Sequence, residues 1–140
     1  MARFLGLDVG AKRLGVALSD SEGRIATPLA VLDVVGLKTD PSPLVRLIDE
    51  WDIATIVVGL PKSLDGSEGL QAQEVRAITE TLVGGLGVDV IYSDERLSSV
   101  EASRSLRSAG ISEKQARGTV DMIAASLILQ TYLDRMKKDG

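Results

Sequence analysis

Residues 4–19, FLGLDVGAKRLGVALS, contain two short apolar segments separated by a turn that includes Gly10. The first segment ends at an acidic residue, Asp8, and the second extends from Leu14 to Ser19. Glycine adopts the backbone conformations of a tight turn at low cost, so the two segments are suited to pair as neighbouring strands. We therefore predict a β-hairpin at the start of the chain, with Asp8 at the end of its first strand.

The remaining pattern predicts one more strand of this meander and then alternating helices and strands. The predicted elements, in chain order, are a strand over Ile25–Val31, a helix from a cap at Ser42 to about Trp51, a strand over Ile53–Val58, a helix that is capped by Ser67 or its neighbours and ends at Gly84–Gly85, a strand over Val88–Ser93, a helix over 98–110, a short helical turn over 112–115 and a helix over 119–136. Sequential strands joined by tight turns favour antiparallel pairing, and the later alternation favours parallel strands. The predicted fold is α/β, a mixed five-stranded sheet with three antiparallel strands, then βα units, and helices on both faces, in a single domain over residues 1–140.

The composition restricts the chemistry. The 140-residue chain is 44% hydrophobic and 26% charged, as is usual for a soluble globular domain, and it contains no cysteine and no histidine. Structural zinc fingers, His-ligated catalytic zinc sites, cysteine nucleophiles and Ser-His-Asp triads are therefore excluded. Carboxylates remain, and they suit the hard cations Mg²⁺ and Mn²⁺.

The charge and the hydropathy bear on partners and location. A net charge of −4 argues weakly against non-specific coating of nucleic acid. Five basic residues nevertheless lie close together in sequence and could form a local basic face: Arg96, Arg104, Arg107, Lys114 and Arg117. We see neither a signal peptide nor an apolar run near the ~18 residues that cross a bilayer, so we expect a cytoplasmic protein.

Three acidic residues are candidate catalytic and metal-binding groups. Asp8 and Glu95 follow predicted strands, where an open α/β sheet usually places its site, and Asp121 falls in the predicted first turn of the last helix. Asp94 competes with Glu95, but strand alternation puts them on opposite faces, and we choose Glu95. A single acid in such a place is commonly a turn former or a helix cap. Three together favour a magnesium or manganese site that hydrolyses phosphodiesters by two-metal catalysis.

Several cationic and polar residues near these acids are candidate substrate-binding groups. Lys12 and Arg13 follow Asp8 and are suited to bind phosphate, although solvated turn residues would look the same. Lys62 and Ser67 lie after an apolar strand and could contact a nucleic-acid backbone, or simply form a capped connection. Arg96 either binds phosphate or pairs with the neighbouring carboxylate.

Four stretches of the sequence also carry a family resemblance. They are Gly6–Ala17, Val57–Pro61 with Asp65–Gly69, Asp94–Ser98, and Val120–Asp121 with Ala124–Ala125 and Ile128–Gln130. In order and spacing they resemble the YqgF family, also called RuvX, whose members are regarded as Holliday-junction resolvases or as nucleases that mature the 5′ end of pre-16S ribosomal RNA. The resemblance implies an RNase H-like fold, a divalent-metal phosphodiesterase, and catalytic acids at Asp8, Glu95 and Asp121.

Two other classes of function stay open at this point. The spacing of Asp8, Gly10 and Gly15 also resembles the first phosphate loop of actin-like and sugar-kinase ATPases, although those proteins close two lobes around a nucleotide. A non-catalytic ribosome-assembly or junction-binding module would retain the same acids. The substrate could be pre-16S rRNA or branched DNA, and symmetric cutting of a four-way junction would call for a homodimer.

Overall fold

The structure, a computed structural model, describes residues 3–62, 65–94 and 113–139. Its elements, in chain order, are β1 (Arg3–Val9), β2 (Arg13–Ser19), β3 (Ala26–Asp33), α1 (Val34–Thr39), α2 (Ser42–Glu50), β4 (Ile53–Leu60), α3 (Leu70–Val83), β5 (Asp89–Asp94) and α4 (Glu113–Asp139). The predicted helix over 98–110 lies outside the described residues. Within the described part of the chain, no helix is both long and apolar enough to cross a membrane.

The five strands form one mixed sheet in the order β3-β2-β1-β4-β5. β2 is antiparallel to both β1 and β3, whereas β4 is parallel to both β1 and β5. This topology confirms the predicted meander followed by βα units. Because β1, β4 and β5 are parallel, their carboxyl ends meet at one edge of the sheet, and the β1–β2 turn lies at that same edge.

The two faces of the sheet bury two separate apolar layers. Leu5 and Leu7 of β1 point into the larger layer, which also contains the buried residues of α1, α2 and α3. Phe4 packs against the second layer, which lies beneath α4. This alternation is the period of two that a strand imposes on its side chains. Helices therefore cover both faces, as predicted.

Helix α4 lies directly on β1 because β1 has a glycine beneath it. A Cβ atom at Gly6 would lie 2.7 Å from the Cβ of Leu129 and 2.9 Å from the carbonyl oxygen of Ala125. Both distances are shorter than ordinary van der Waals contact. Gly6 therefore lets the helix approach more closely than any other residue type would allow.

Helix α1 was missed from the sequence. It begins with Val34, Val35 and Gly36, which are poor helix formers, so neither propensity nor periodicity indicated a helix. The Oδ2 atom of Asp33 accepts a hydrogen bond from the amide of Gly36 at 2.9 Å and caps the helix. The aspartate was the available signal.

The predicted cap of α2 was wrong by one residue. Pro41 is the N-cap and makes no side-chain cap bond, while Ser42 is already helical. The amide of Ser42 donates to Oδ1 of Asp40 at 3.1 Å. Asp40 therefore supplies the side-chain acceptor that we had assigned to the serine.

The last helix is longer than predicted. α4 is continuous over Glu113–Asp139, 27 residues, where the sequence suggested a short turn and then a separate helix from Thr119. Gly118 costs about 1 kcal/mol relative to alanine inside a helix, which is too little to end one that is packed along much of its length. This difference changes the setting of Asp121.

Candidate active site at the carboxyl edge of the sheet

Asp8 lies near the carboxyl end of β1, on the face that α4 covers. It follows Gly6 by two residues, and Gly6 faces Ala125 and Leu129 of α4. Residues two apart on a strand share a face, so Asp8 faces the same helix. The residue is partly buried at the edge where the three parallel strands end.

Gly15 brings Asp121 to this position. Gly15 is the register partner of Asp8 across the β1–β2 pair. A Cβ atom at Gly15 would overlap the carbonyl oxygen of Asp121 and lie 2.5 Å from its carbonyl carbon and 3.1 Å from its Cα. Cα atoms of directly paired antiparallel residues are about 4.5–5.5 Å apart. The main chain of Asp121 therefore rests on β2, one strand away from Asp8 and on the same face of the sheet.

Asp121 does not occupy the first turn of its helix. It lies more than two turns after Glu113, so neither the helix dipole nor a capping role accounts for its position, and that part of the sequence prediction was wrong. Its place is set instead by the contact with Gly15. No pattern in the sequence predicts this long-range contact between residues 15 and 121.

Arg13 pairs with Asp121. It precedes Gly15 by two residues on β2 and therefore projects toward the same helix. Its Nε donates to Oδ2 of Asp121 at 2.7 Å. The arginine side chain is 43% exposed and the aspartate side chain 19%. Lys12, its neighbour in the turn, is exposed at the same edge.

Of the two acids that compete at the end of β5, the structure describes only Asp94. Glu95 and Arg96 lie outside the described residues. Along β5, Val90 and Tyr92 pack against the layer beneath α1–α3, and Asp94 continues that series. Asp94 therefore has a register position on the face opposite to Asp8. Within residues 3–62, 65–94 and 113–139, no three acidic residues converge as a metal-binding group.

The loop before α3 is held by its own side chains. Both the amide and the hydroxyl of Ser67 donate to Oδ1 of Asp65, at 2.9 and 2.6 Å. The N-cap of α3 is Gly69, one of the neighbours of Ser67 that the sequence also allowed as the cap, and it makes no side-chain cap bond. The hydroxyl proton of Ser67 is thus already donated within the loop. A substrate-binding role for Ser67 stays a prediction.

An arginine that the sequence did not single out fixes this loop to the sheet. Arg76 of α3 donates from Nε and a terminal nitrogen to the two oxygens of Glu68, at 2.6 and 3.0 Å. Its guanidinium also lies 4.2 Å from the ring centroid of Tyr92 on β5. The hydrogen bonds from Arg76, reinforced by the charge of Lys62, lower the pKa of Glu68 from its usual value. Lys62 follows the last residue of β4 by two positions.

Gln130 fastens α4 to the edge strand β3. Its side-chain oxygen accepts from the amide of Ala26 at 2.9 Å, and its nitrogen donates to the carbonyl of Arg24 at 2.8 Å. These bonds satisfy two backbone groups where β3 begins. Together with the contacts at Gly6 and Gly15, they fix the position of the helix that carries Asp121.

A comparison with models of protein families shows the family to which this chain belongs. The model of the RuvX family, described as Holliday junction resolvase, matches residues 2–135. The chain belongs to the RuvX family. This assignment confirms the resemblance and favours a nuclease over the ATPase alternative.

Curated RuvX relatives align over nearly the whole chain. A protein of Anaeromyxobacter sp. (strain Fw109-5) named "Putative pre-16S rRNA nuclease" is 46% identical over 132 residues, 94% of this chain and 96% of the relative. A protein of the same name from Moorella thermoacetica is 42% identical over 138 residues, 99% of both chains.

Solved structures of low sequence identity show the fold. RuvC of T. thermophilus in complex with a Holliday junction substrate has a TM-score of 0.55 at 14% identity, covering 97% of this chain and 96% of RuvC. The Fowlpox virus resolvase in complex with Holliday junction DNA has a TM-score of 0.53 at 12% identity, covering 96% of this chain and 98% of the resolvase. The predicted RNase H-like fold is thereby confirmed.

Proposed function

We propose that this RuvX chain is a nuclease that hydrolyses nucleic-acid phosphodiesters with the help of divalent metal ions, Mg²⁺ or Mn²⁺. The observation that carries the proposal is the contact of Gly15 with the main chain of Asp121, beside the register partner of Gly15, Asp8. Two carboxylates on rigid elements at the carboxyl edge of an α/β sheet form a suitable start of a metal site.

The donor set fits such a metal. Carboxylate oxygens are the ligands that Mg²⁺ and Mn²⁺ prefer, and a divalent cation offsets the repulsion between neighbouring carboxylates. Bound divalent ions supply Lewis-acid stabilisation of the phosphoryl group and a water of lowered pKa. Asp8 and Asp121 would hold the ions in place through β1 and α4.

Glu95 is the third proposed ligand. Ser93 is the register partner of Gly59, and Gly59 follows Val57 of the layer beneath α4 by two residues. Strand alternation, as argued from the sequence, would put Glu95 on the face opposite to that of Asp94. Glu95 is therefore preferred to Asp94, and the three acids act together as catalytic and metal-binding residues.

Cationic residues around the acids would bind the phosphate backbone. Lys12, Arg13 and Lys62 belong to the carboxyl edge of the sheet, and Arg96 directly follows the third proposed ligand in sequence. A local positive edge suits a phosphodiester substrate even though the whole chain is acidic. Each contact of this kind should weaken binding at higher salt.

Pre-16S rRNA is the preferred substrate. The relatives that carry that name are 46% and 42% identical to this chain, whereas the structural neighbours bound to junction DNA are 14% and 12% identical. Such a role belongs in the cytoplasm and requires no dimer, and residues 1–140 would act as one nuclease domain. Four-way junction DNA is the comparison substrate for the test.

The test is cleavage of a labelled pre-16S-like RNA and of a four-way DNA junction with Mn²⁺, Mg²⁺ or EDTA. We expect metal-dependent cleavage of the RNA by the wild type and none by Asp8→Asn or Asp121→Asn. The control is Asp49→Asn, which removes the same charge from an exposed position on α2 and should cleave normally. Folded protein that binds the RNA but cleaves neither substrate with either metal would contradict the proposal and indicate a non-catalytic assembly factor.

A further inference from the structure

We infer that Arg13 is a displaceable counter-cation, which holds the carboxylate of Asp121 before metal binding and competes with the divalent ion for that carboxylate. The inference rests on the proposed function, since it takes Asp121 as a metal ligand. It adds a role for Arg13 that differs from direct phosphate binding alone. It also predicts the sign of a change in metal affinity.

The ion pair engages one of the two carboxylate oxygens through which Asp121 would bind a metal. Nε of Arg13 donates to Oδ2 of Asp121 at 2.7 Å. A divalent ion bound to the same oxygen would lie next to the guanidinium charge, and two cations in contact repel strongly. Because of this repulsion, each cation weakens the binding of the other to the carboxylate of Asp121.

Only the side chain of Arg13 has to move when a metal ion replaces it at Asp121. The carbonyl of Arg13 accepts from the amide of Gly10 at 3.0 Å, which closes the β1–β2 turn through the backbone. The main chain of Asp121 is held against Gly15. The arginine side chain, in contrast, is 43% exposed and can leave by rotation about its own bonds. Neither the turn nor the helix has to move.

The exchange is energetically accessible. Ion pairs with an exposed partner contribute little to stability, because water and salt screen them. A divalent ion carries twice the charge of a guanidinium and also gains the carboxylate of Asp8, the register neighbour of Gly15. Once released, the planar guanidinium is near the site and matches the geometry of a phosphate oxygen pair. Metal binding would thus free Arg13 for the substrate.

A purely structural ion pair would behave in the opposite way. If Arg13 only oriented Asp121 for the metal, its removal would leave the carboxylate less ordered and would weaken metal binding. A competing cation predicts that removal strengthens metal binding. The two roles are therefore distinguished by the direction of the change and not merely by its size.

The experiment is calorimetric titration of Mn²⁺ into the full chain without nucleic acid. We expect Arg13→Gln to lower the dissociation constant for Mn²⁺ by about threefold to tenfold relative to wild type. Arg13→Lys keeps the charge and should lie between the two. The control Lys12→Gln removes a neighbouring positive charge in the same turn and should change the constant by less than about twofold, because exposed charges are screened.

A second measurement uses the wild type, so that a folding defect in a variant cannot obscure the result. The Nε–H resonance of Arg13 is followed by NMR during titration with Mg²⁺. We expect its exchange with water to accelerate as Asp121 binds the metal. A resonance that stays protected at saturating Mg²⁺ would overturn the inference.

The outcomes separate this inference from the proposed function. Metal binding by the wild type that is abolished in Asp8→Asn supports the metal site, and unchanged or weaker binding by folded Arg13→Gln then overturns the role of Arg13 alone. An absence of Mn²⁺ binding in both wild type and Arg13→Gln overturns both. Binding that only becomes measurable in Arg13→Gln would support the competition directly.

Discussion

Replacement of Gly15 by alanine should disturb the site strongly, because the added methyl group would meet the main chain of Asp121. The added Cβ would lie 2.5 Å from the carbonyl carbon of Asp121. Ordinary contacts between carbon atoms are about 3.5–4.0 Å, so α4 and β2 must separate by roughly 1 Å. The obstacle is backbone on both sides, so rotation of a side chain cannot relieve it. The expected loss is about 3 kcal/mol of unfolding free energy, at the upper end for overpacking.

The same displacement moves Asp121 relative to Asp8. A misplacement of about 1 Å at a reacting centre can lower the rate by about a hundredfold. Thermal unfolding by circular dichroism should show a melting temperature lowered by about 10 °C. Cleavage of the pre-16S-like RNA, assayed well below that temperature, should slow by about two orders of magnitude.

Gly85→Ala is the matched control for Gly15→Ala. It makes the same substitution in the turn after α3, where a Cβ would meet no atom within 4 Å. We expect it to keep both the wild-type melting temperature and the wild-type cleavage rate. If Gly15→Ala were as stable and as active as Gly85→Ala, the contact between β2 and α4 would not position Asp121, and the reasoning would be refuted.

Three further predictions concern the elements that frame the site. Arg76→Lys retains the charge but loses the paired hydrogen bonds to Glu68 in the loop before α3. In steady-state cleavage assays, the KM for RNA should therefore rise with little change in kcat. An unchanged KM would argue against a role of this loop in binding RNA. Because the folded state lowers the pKa of Glu68, the ionised carboxylate contributes stability that is fully present above the usual value of 4.5 and is lost as pH falls through the lowered pKa. Urea unfolding should therefore separate wild type from Glu68→Gln at neutral pH, and the difference should shrink as the pH is lowered through the folded-state pKa of Glu68. Gln130→Ala leaves the amide of Ala26 without its acceptor and should cost about 1–2 kcal/mol in urea unfolding, whereas Gln71→Ala, on the exposed surface of α3, should cost almost nothing.

The sheet was predictable because its pattern is local. Alternation and turn residues between Phe4 and Ser19 indicate the hairpin, and Asp8 follows from the position where the apolar run stops. The continuous apolar run from Ile53 indicates a strand covered on both faces. Such signals lie within a few residues of the structure that they specify.

The proximity of Asp8 and Asp121 was not predictable in its actual form. The sequence placed Asp121 at a helix start, whereas the helix begins well before it and the decisive contact is with Gly15. Because glycine has no side chain, it does not contribute to the apolar pattern from which a packing partner could be predicted. The pairing of Glu68 with Arg76 was hidden for a related reason, because it joins a loop to the body of a helix and follows no helical spacing.

The central claim is that Asp8 and Asp121 hold divalent metal at the carboxyl edge of the sheet. The most direct test is anomalous scattering from crystals of the wild-type protein grown with Mn²⁺. We predict an anomalous peak within coordination distance of carboxylate oxygens of both Asp8 and Asp121, and its loss in Asp121→Asn. A fully active protein whose anomalous peaks all lie away from these two carboxylates would contradict the account.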